Sequence, residues 1–250
     1  MIISIGFTYE AFNFPCGEKH VKIKGANEKK FASIELDFNN NEEIIELLML
    51  CNALKEDNWI LEELIIPYVP FSRQDRINVP GECFSLKVFC NLINDIGAKK
   101  VYIHDPHSDV TTALLKNCVV ITQDMIFATL FKDKTGFYLI SPDGGALKKI
   151  YKLAEKVKPF GVVECSKKRD TTNGNITGIN IPIDDLGGKD CYIVDDICDG
   201  GRTFTEIAKV LKTKNPGKII LLVTHGFFTK GLKVFDGLID EIHTRKGKVK

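Results

Sequence analysis

Residues 191–203 read CYIVDDICDGGRT. A short apolar run leads into two adjacent carboxylates, Asp195 and Asp196, then Asp199, Gly200, Gly201, Arg202 and Thr203, before the helical pattern FTEIAKVLK begins. The apolar run has the composition of a buried parallel strand, and open α/β sheets bind ligands at the carboxyl ends of such strands. The expectation is a strand over 191–194 with Asp195 and Asp196 emerging at its end. Gly200 and Gly201 let backbone N–H groups approach an anion, and the helix that follows adds its positive N-terminus. The carboxylates suit vicinal hydroxyls, which donate hydrogen bonds, or a Mg²⁺ ion that such hydroxyls help to hold. The stretch therefore has an anion end and a polyol end, as a sugar phosphate requires. The same letters also fit an ordinary strand, turn and capped helix, because Asp and Gly are common turn residues.

A second charged cluster follows another apolar run, in IIPYVPFSRQDR at 65–76. Arg73 can meet phosphate oxygens bidentately, Gln74 and Asp75 can read an adenine edge, and Arg76 adds a second cation. Taken alone, the cluster is equally a solvated salt-bridge turn.

These side chains must be positioned by regular elements. Strand-like runs recur at 2–4, 32–36, 64–68, 101–104, 136–140, 161–164, 191–194 and 218–223. Helical patterns lie at 41–54, 84–96, 146–157 and 204–211; the first places Ile44, Ile45, Leu47, Leu48 and Leu54 mainly on one face. Alternation of this kind implies an α/β fold with parallel sheets covered by helices on both faces. The second half repeats the plan of the first, so two units are expected, 1–128 and 129–250, with the junction near 124–135. The stretch 170–178 is polar and lacks periodicity, as a mobile flap would be.

The bulk properties narrow the function classes. The 250 residues are enough for two units that each bury a core. With 34 basic against 33 acidic side chains there is no global field to draw nucleic acid or an anionic membrane, so anion binding must be local. The eight cysteines form no CxxC pair and sit mostly in apolar segments, which suits free thiols in a reducing cytoplasm. No apolar run approaches the ~18 residues of a membrane span.

The two clusters together carry a family resemblance. The loop at 191–203 resembles the phosphoribosyl-diphosphate loop of type I phosphoribosyltransferases and of ribose-phosphate diphosphokinases (PRPP synthetases). PYVPFSRQDR is similar to the ATP-binding segment of the diphosphokinases, which the transferases lack. FPCGE at 14–18, HDPH at 104–107, SPDGG at 141–145, KKR at 167–169 and THG at 224–226 fall in the order that family shows.

The resemblance implies two tandem phosphoribosyltransferase-type (type I) α/β domains, an ATP-binding domain at 1–128 and a ribose-phosphate-binding domain at 129–250. It implies transfer of the β,γ-diphosphate of ATP to the anomeric hydroxyl of a ribose 5-phosphoryl acceptor, with Mg²⁺ and release of AMP. Carried over residue by residue, Phe14 and Glu18 reach ATP in a neighbouring subunit, which implies a homo-oligomer, at least a dimer. Arg73, Gln74, Asp75 and His107 bind ATP, and His107 and Asp143 serve the metal. Lys167 and Arg169 are catalytic cations at the root of the flap. Asp195, Asp196, Asp199, Gly200, Gly201, Arg202 and Thr203 hold the ribose and its 5-phosphate.

Three departures from the family pattern stand out. Cys16 replaces a polar residue, and the SPDGG turn is one residue short. The family's D-T-x-G-T loop here reads Asp199-Gly200-Gly201-Arg202-Thr203. Losing a threonine side chain at Gly200 opens space beside the 5-phosphate, and Arg202 brings a guanidinium where glycine would let the backbone close. A longer 5-substituent then fits. The chain is similar to a short, virus-encoded branch of the family that makes ADP-ribose 1-diphosphate for rebuilding NAD, so the expected acceptor is ADP-ribose. Ribose 5-phosphate in an ordinary PRPP synthetase is the alternative, and a type I phosphoribosyltransferase is the second.

Overall fold

The computed structural model describes residues 1–26, 30–169 and 176–250, with the side chains of residues 26, 167–169, 176 and 177 outside that description. The chain divides into two units, Met1–Ile121 and Thr122–Lys250.

In chain order the first unit holds β1 (Ile2–Ile5), β2 (Phe7–Asn13), β3 (Lys19–Ala26), β4 (Phe31–Leu36), α1 (Glu42–Glu56), β5 (Ile60–Ile66), α2 (Ser85–Ile96), β6 (Lys100–His104), α3 (Asp109–Leu114) and β7 (Cys118–Ile121). Its main sheet runs β1-β4-β5-β6-β7, parallel except for the β1–β4 pair. Ala32, Ile34 and Leu36 alternate along β4 and pack with Leu64, Ile66, Val101 and Ile103 from neighbouring strands. Leu47, Leu50 and Leu54 of α1 and Leu86, Phe89 and Ile93 of α2 close this core, which is why their helical spacing was legible. The β2–β3 hairpin was not anticipated, because its strands are mostly exposed and carry no buried apolar run.

The second unit holds α4 (Gln123–Phe127), a 3₁₀ turn at Ala128–Phe131, β8 (Tyr138–Ser141), α5 (Leu147–Val157), β9 (Gly161–Glu164), β10 (Ser166–Arg169), β11 (Ile176–Asn180), β12 (Cys191–Cys198), α6 (Arg202–Lys212), β13 (Ile219–Gly226), β14 (Glu241–Thr244) and β15 (Gly247–Lys248). Its sheet runs β15-β14-β13-β12-β8-β9 and is parallel apart from β15. Cys191, Ile193, Leu221 and Val223 face α6 through Phe204, Ile207 and Leu211. Tyr192, Val194, Ile220 and Leu222 face the other way, onto Phe127, Ile150 and Leu153. Burial on both faces makes β12 and β13 read as continuous apolar runs.

The boundary at Ile121 lies ahead of the junction expected after residue 128. Phe127 and Phe131 explain the difference, since both are buried in the core shared with α5 and β12. The flap expected at 170–178 lies outside the described residues as far as 175, and from Ile176 the chain is already in β11. All eight cysteines are free thiols. No helix among the described residues is long and apolar enough to cross a membrane.

Candidate active site

The centre of the second unit is the carboxyl half of β12. Its pairing with β8 stops at Ile193↔Ile140, but pairing with β13 continues through Asp195↔Val223 and Ile197↔His225 to Cys198↔Gly226. Asp195 and Asp196 therefore lie inside the strand, past the end of β8, and do not emerge after Val194 as expected. The strand continues because β13 still satisfies its backbone groups there.

Asp195 accepts the backbone N–H of Asp196 at 2.9 Å, and its carbonyl accepts the Gln123 amide at 3.0 Å. Burial, the adjacent Asp196 charge and the Asp143 carboxylate together push the Asp195 carboxyl well above the usual range. Asp196 is buried and pairs with Lys149 Nζ at 3.2 Å. Lys149 was missed from sequence; its signal is a place in the first turn of α5, which starts just after the 141–145 turn. That turn is compact despite its missing residue. Ser141 Oγ donates to the Asp143 carbonyl at 2.7 Å, and Gly145 N–H donates to Asp143 Oδ1 at 3.0 Å.

The loop after β12 is shaped by Gly201. Its φ is +80°, and a Cβ there would lie 2.5 Å from the Phe235 ring, so only glycine fits. Gly201 caps α6, whose first turn carries exposed Arg202 and partly buried Thr203. The turn after β13 is fastened to this loop: Phe227 N–H donates to the Cys198 carbonyl at 2.8 Å, and Thr229 N–H to the Asp199 carbonyl at 3.1 Å. Thr229 Oγ1 donates to Asp199 Oδ1 at 2.8 Å. Thr229 also escaped the sequence reading, because it lies beyond the THG triplet in an otherwise unremarked turn.

In the first unit the segment after β5 meets the loop after β6. Arg76 holds both Asp75 oxygens, Nε at 2.7 Å and Nη2 at 3.0 Å. Asp75 is 7% exposed. This bidentate clasp, aided by the charge of the neighbouring His107, takes its carboxyl down to about 2 against the cost of burial. Asp75 thus braces Arg76, whereas Arg73 and Gln74 are exposed. Asp105 turns the chain with φ 40° just before Pro106 and His107.

Phe14 and Glu18 close the tip of the β2–β3 hairpin, where Phe14 N–H donates to the Glu18 carbonyl at 2.8 Å. The hairpin is tied to α1 through Lys19–Glu46 at 2.7 Å and the Tyr9 hydroxyl on Glu46 at 2.9 Å. Phe12, Phe14 and His20 cluster there, with Phe14 45% exposed. Lys167 and Arg169 lie on β10, opposite Ile179 and Ile176, and their side chains lie outside the described residues.

His107 belongs to the first unit and Asp143 to the second. Among the described residues no three His, Cys, Asp or Glu side chains form a ready-made metal centre. The carboxylates of Asp143, Asp195 and Asp196 are nonetheless hard oxygen donors whose mutual repulsion a cation would relieve. Mg²⁺ characteristically uses one or two carboxylates plus substrate phosphates, so the donor set fits it.

A six-stranded, mostly parallel sheet with an Asp-Asp pair in the carboxyl half of a central strand and a glycine loop into a helix defines the second unit as a phosphoribosyltransferase-type fold. Residues 109–236 match the phosphoribosyl transferase domain, and residues 8–97 match the N-terminal domain of ribose phosphate pyrophosphokinase. The ribose-phosphate pyrophosphokinase of Thermococcus kodakarensis is 31% identical over 226 residues, covering 89% of this chain and 79% of that protein. That of Pyrococcus furiosus is 30% identical over 237 residues, covering 93% and 83%. In fold, the chain is similar to the phosphoribosylpyrophosphate synthetase of Mycobacterium smegmatis, with a TM-score of 0.80 at 20% identity over 95% of this chain and 80% of that one. The chain belongs to the ribose-phosphate pyrophosphokinase family, and it is a diphosphotransferase. The match at 8–97 sets the transferase alternative aside.

Proposed function

We propose that the chain transfers the β,γ-diphosphate of ATP to the C1 hydroxyl of ADP-ribose. The C1 oxygen bonds to the β-phosphorus, the bond from that phosphorus to the α-phosphate oxygen breaks, and AMP leaves as ADP-ribose 1-diphosphate forms. The observation that carries the acceptor is the loop itself, with Gly200 lacking a side chain and Arg202 exposed at the first turn of α6. Arg202 supplies positive charge for a 5-phosphate that continues into a diphosphate, and the side-chain atoms nearest a Cβ on Gly200 belong to the flexible stem of Lys230.

Negative charge builds on the transferred group and on the departing AMP oxygen, so fixed cations supply most of the rate. Lys167 and Arg169 take that part in this proposal. Arg73 and Gln74 hold the nucleotide, Asp75 acts through Arg76, and His107 stands beside them. Asp195 and Asp196 hold the ribose hydroxyls, and Asp199, Gly200, Gly201 and Thr203 form the 5-phosphate cradle. Asp143 would hold Mg²⁺ together with the nucleotide's phosphates, whose charge the ion would offset, and His107 would serve the nucleotide in the first unit. The exposed Phe14 at the hairpin tip, with Glu18, supports a homo-oligomer with shared sites. The eight free thiols support a reducing cytoplasm.

The relatives are ribose-phosphate pyrophosphokinases, which makes ribose 5-phosphate the second acceptor to consider. AMP release measured side by side with the two acceptors tests the choice. A higher kcat/KM for ADP-ribose is expected; a strong preference for ribose 5-phosphate would overturn it.

A further inference from the structure

The turn that follows β13 brings a cation to the loop that follows β12. A Cβ placed on Gly200 would lie 3.5 Å from both Cδ and Cε of Lys230 and 3.7 Å from its Cγ. The methylene stem of Lys230 therefore lines the space beside Gly200, where a Cβ would meet it in ordinary contact. This contact follows from how the turn is fastened. Thr229, the residue before Lys230, bonds to Asp199 through both its backbone N–H, at 3.1 Å, and its hydroxyl, at 2.8 Å. Gly231 N–H donates to the Phe228 carbonyl at 2.7 Å and closes the turn behind it. Among the described residues neither Lys230 nor Arg202 is engaged in an ion pair.

From this juxtaposition we infer that Lys230 is a specificity-determining residue, binding the second phosphoryl group of an acceptor that carries a diphosphate on C5. The inference rests on the ADP-ribose proposal and deepens it. Backbone N–H groups at the start of α6 serve the first phosphoryl, as helix N-termini do. Lys230, lying against Gly200, presents an exposed ammonium of three donors, which suits a group whose position is set by the acceptor and not by the loop. Gly200 and Lys230 form a pair: with no side chain at 200 the stem lies across the loop, and a branched side chain such as that of threonine would reach past the Cβ position into the stem.

The test compares wild type with Lys230→Ala, Lys230→Arg and Gly200→Thr. AMP release gives kcat and KM for ADP-ribose and for ribose 5-phosphate, and titration calorimetry gives binding of each acceptor. In Lys230→Ala the kcat/KM ratio of ADP-ribose over ribose 5-phosphate falls about tenfold, the scale of one charge-assisted hydrogen bond, with the loss in KM. Lys230→Arg restores most of it, and Gly200→Thr shifts the ratio in the same direction as Lys230→Ala. A Lys230→Ala enzyme that keeps the wild-type ratio and wild-type ADP-ribose binding would overturn the assignment while leaving the acceptor proposal standing. A wild type that itself prefers ribose 5-phosphate shows that the acceptor proposal has failed, and the role of Lys230 fails with it.

Discussion

Asp195 is held in surroundings that penalise its charge, and that cost is visible in stability. Burial and the neighbouring Asp196 raise its folded-state pKa, so the folded protein binds a proton more readily there than the unfolded chain does. The penalty is absent below the ordinary carboxylate range, grows as pH rises towards the raised folded value, and is complete above it. Asp195→Asn removes the charge and keeps an oxygen for the Asp196 N–H. The variant is expected to melt roughly 2–4 °C higher than wild type at pH 8, the shift that ~1 kcal/mol produces in a chain of this size. The gain disappears as pH falls through the carboxylate range. Its kcat/KM for the acceptor drops about tenfold to hundredfold, the scale of hydrogen bonds to a charged partner. Scanning calorimetry at several pH values, paired with the AMP assay, checks both halves; a variant that melts lower at pH 8 would show that the carboxylate is not under strain.

Among the elements, the loop between β12 and α6 depends on one backbone conformation. Gly201 has positive φ and its Cα faces the buried Phe235 ring. Gly201→Ala meets both obstacles at once and should cost roughly 2 kcal/mol or more, combining an unfavourable φ with overpacking. Urea unfolding measures it, and an unchanged midpoint would mean that the ring moves away freely. Gly200 has no such constraint, since the side-chain atoms near it belong to flexible Lys230. The two glycines are adjacent in sequence but differ in purpose, the first giving space for a neighbour and the second giving the turn.

For the whole molecule, the exposed aromatic tip of the β2–β3 hairpin is costly to leave in water in a chain of nearly balanced charge. Sedimentation at assay concentrations is expected to show a dimer or larger species. A monomer with full activity would contradict a site shared between subunits. The balanced charge also means that acceptor and nucleotide are recognised by local cations, with little long-range steering.

The sequence alone determined the α/β class, both sheet cores and the placing of the Asp195 loop and the Arg73 segment, because buried strands and one-faced helices leave a period in the residue order. The local glycine chemistry of 199–203 was legible for the same reason: it depends on neighbours in the chain. What only the tertiary structure decided involves partners far apart in sequence. Strand β12 runs on to Cys198 because β13 accompanies it, Asp75 spends both its oxygens on Arg76, and Lys149 reaches Asp196 from another element. Lys230 lies on Gly200 because Thr229 fastens one turn to another. Such contacts follow from how packed elements bring side chains together in space, and no periodicity in the sequence records them.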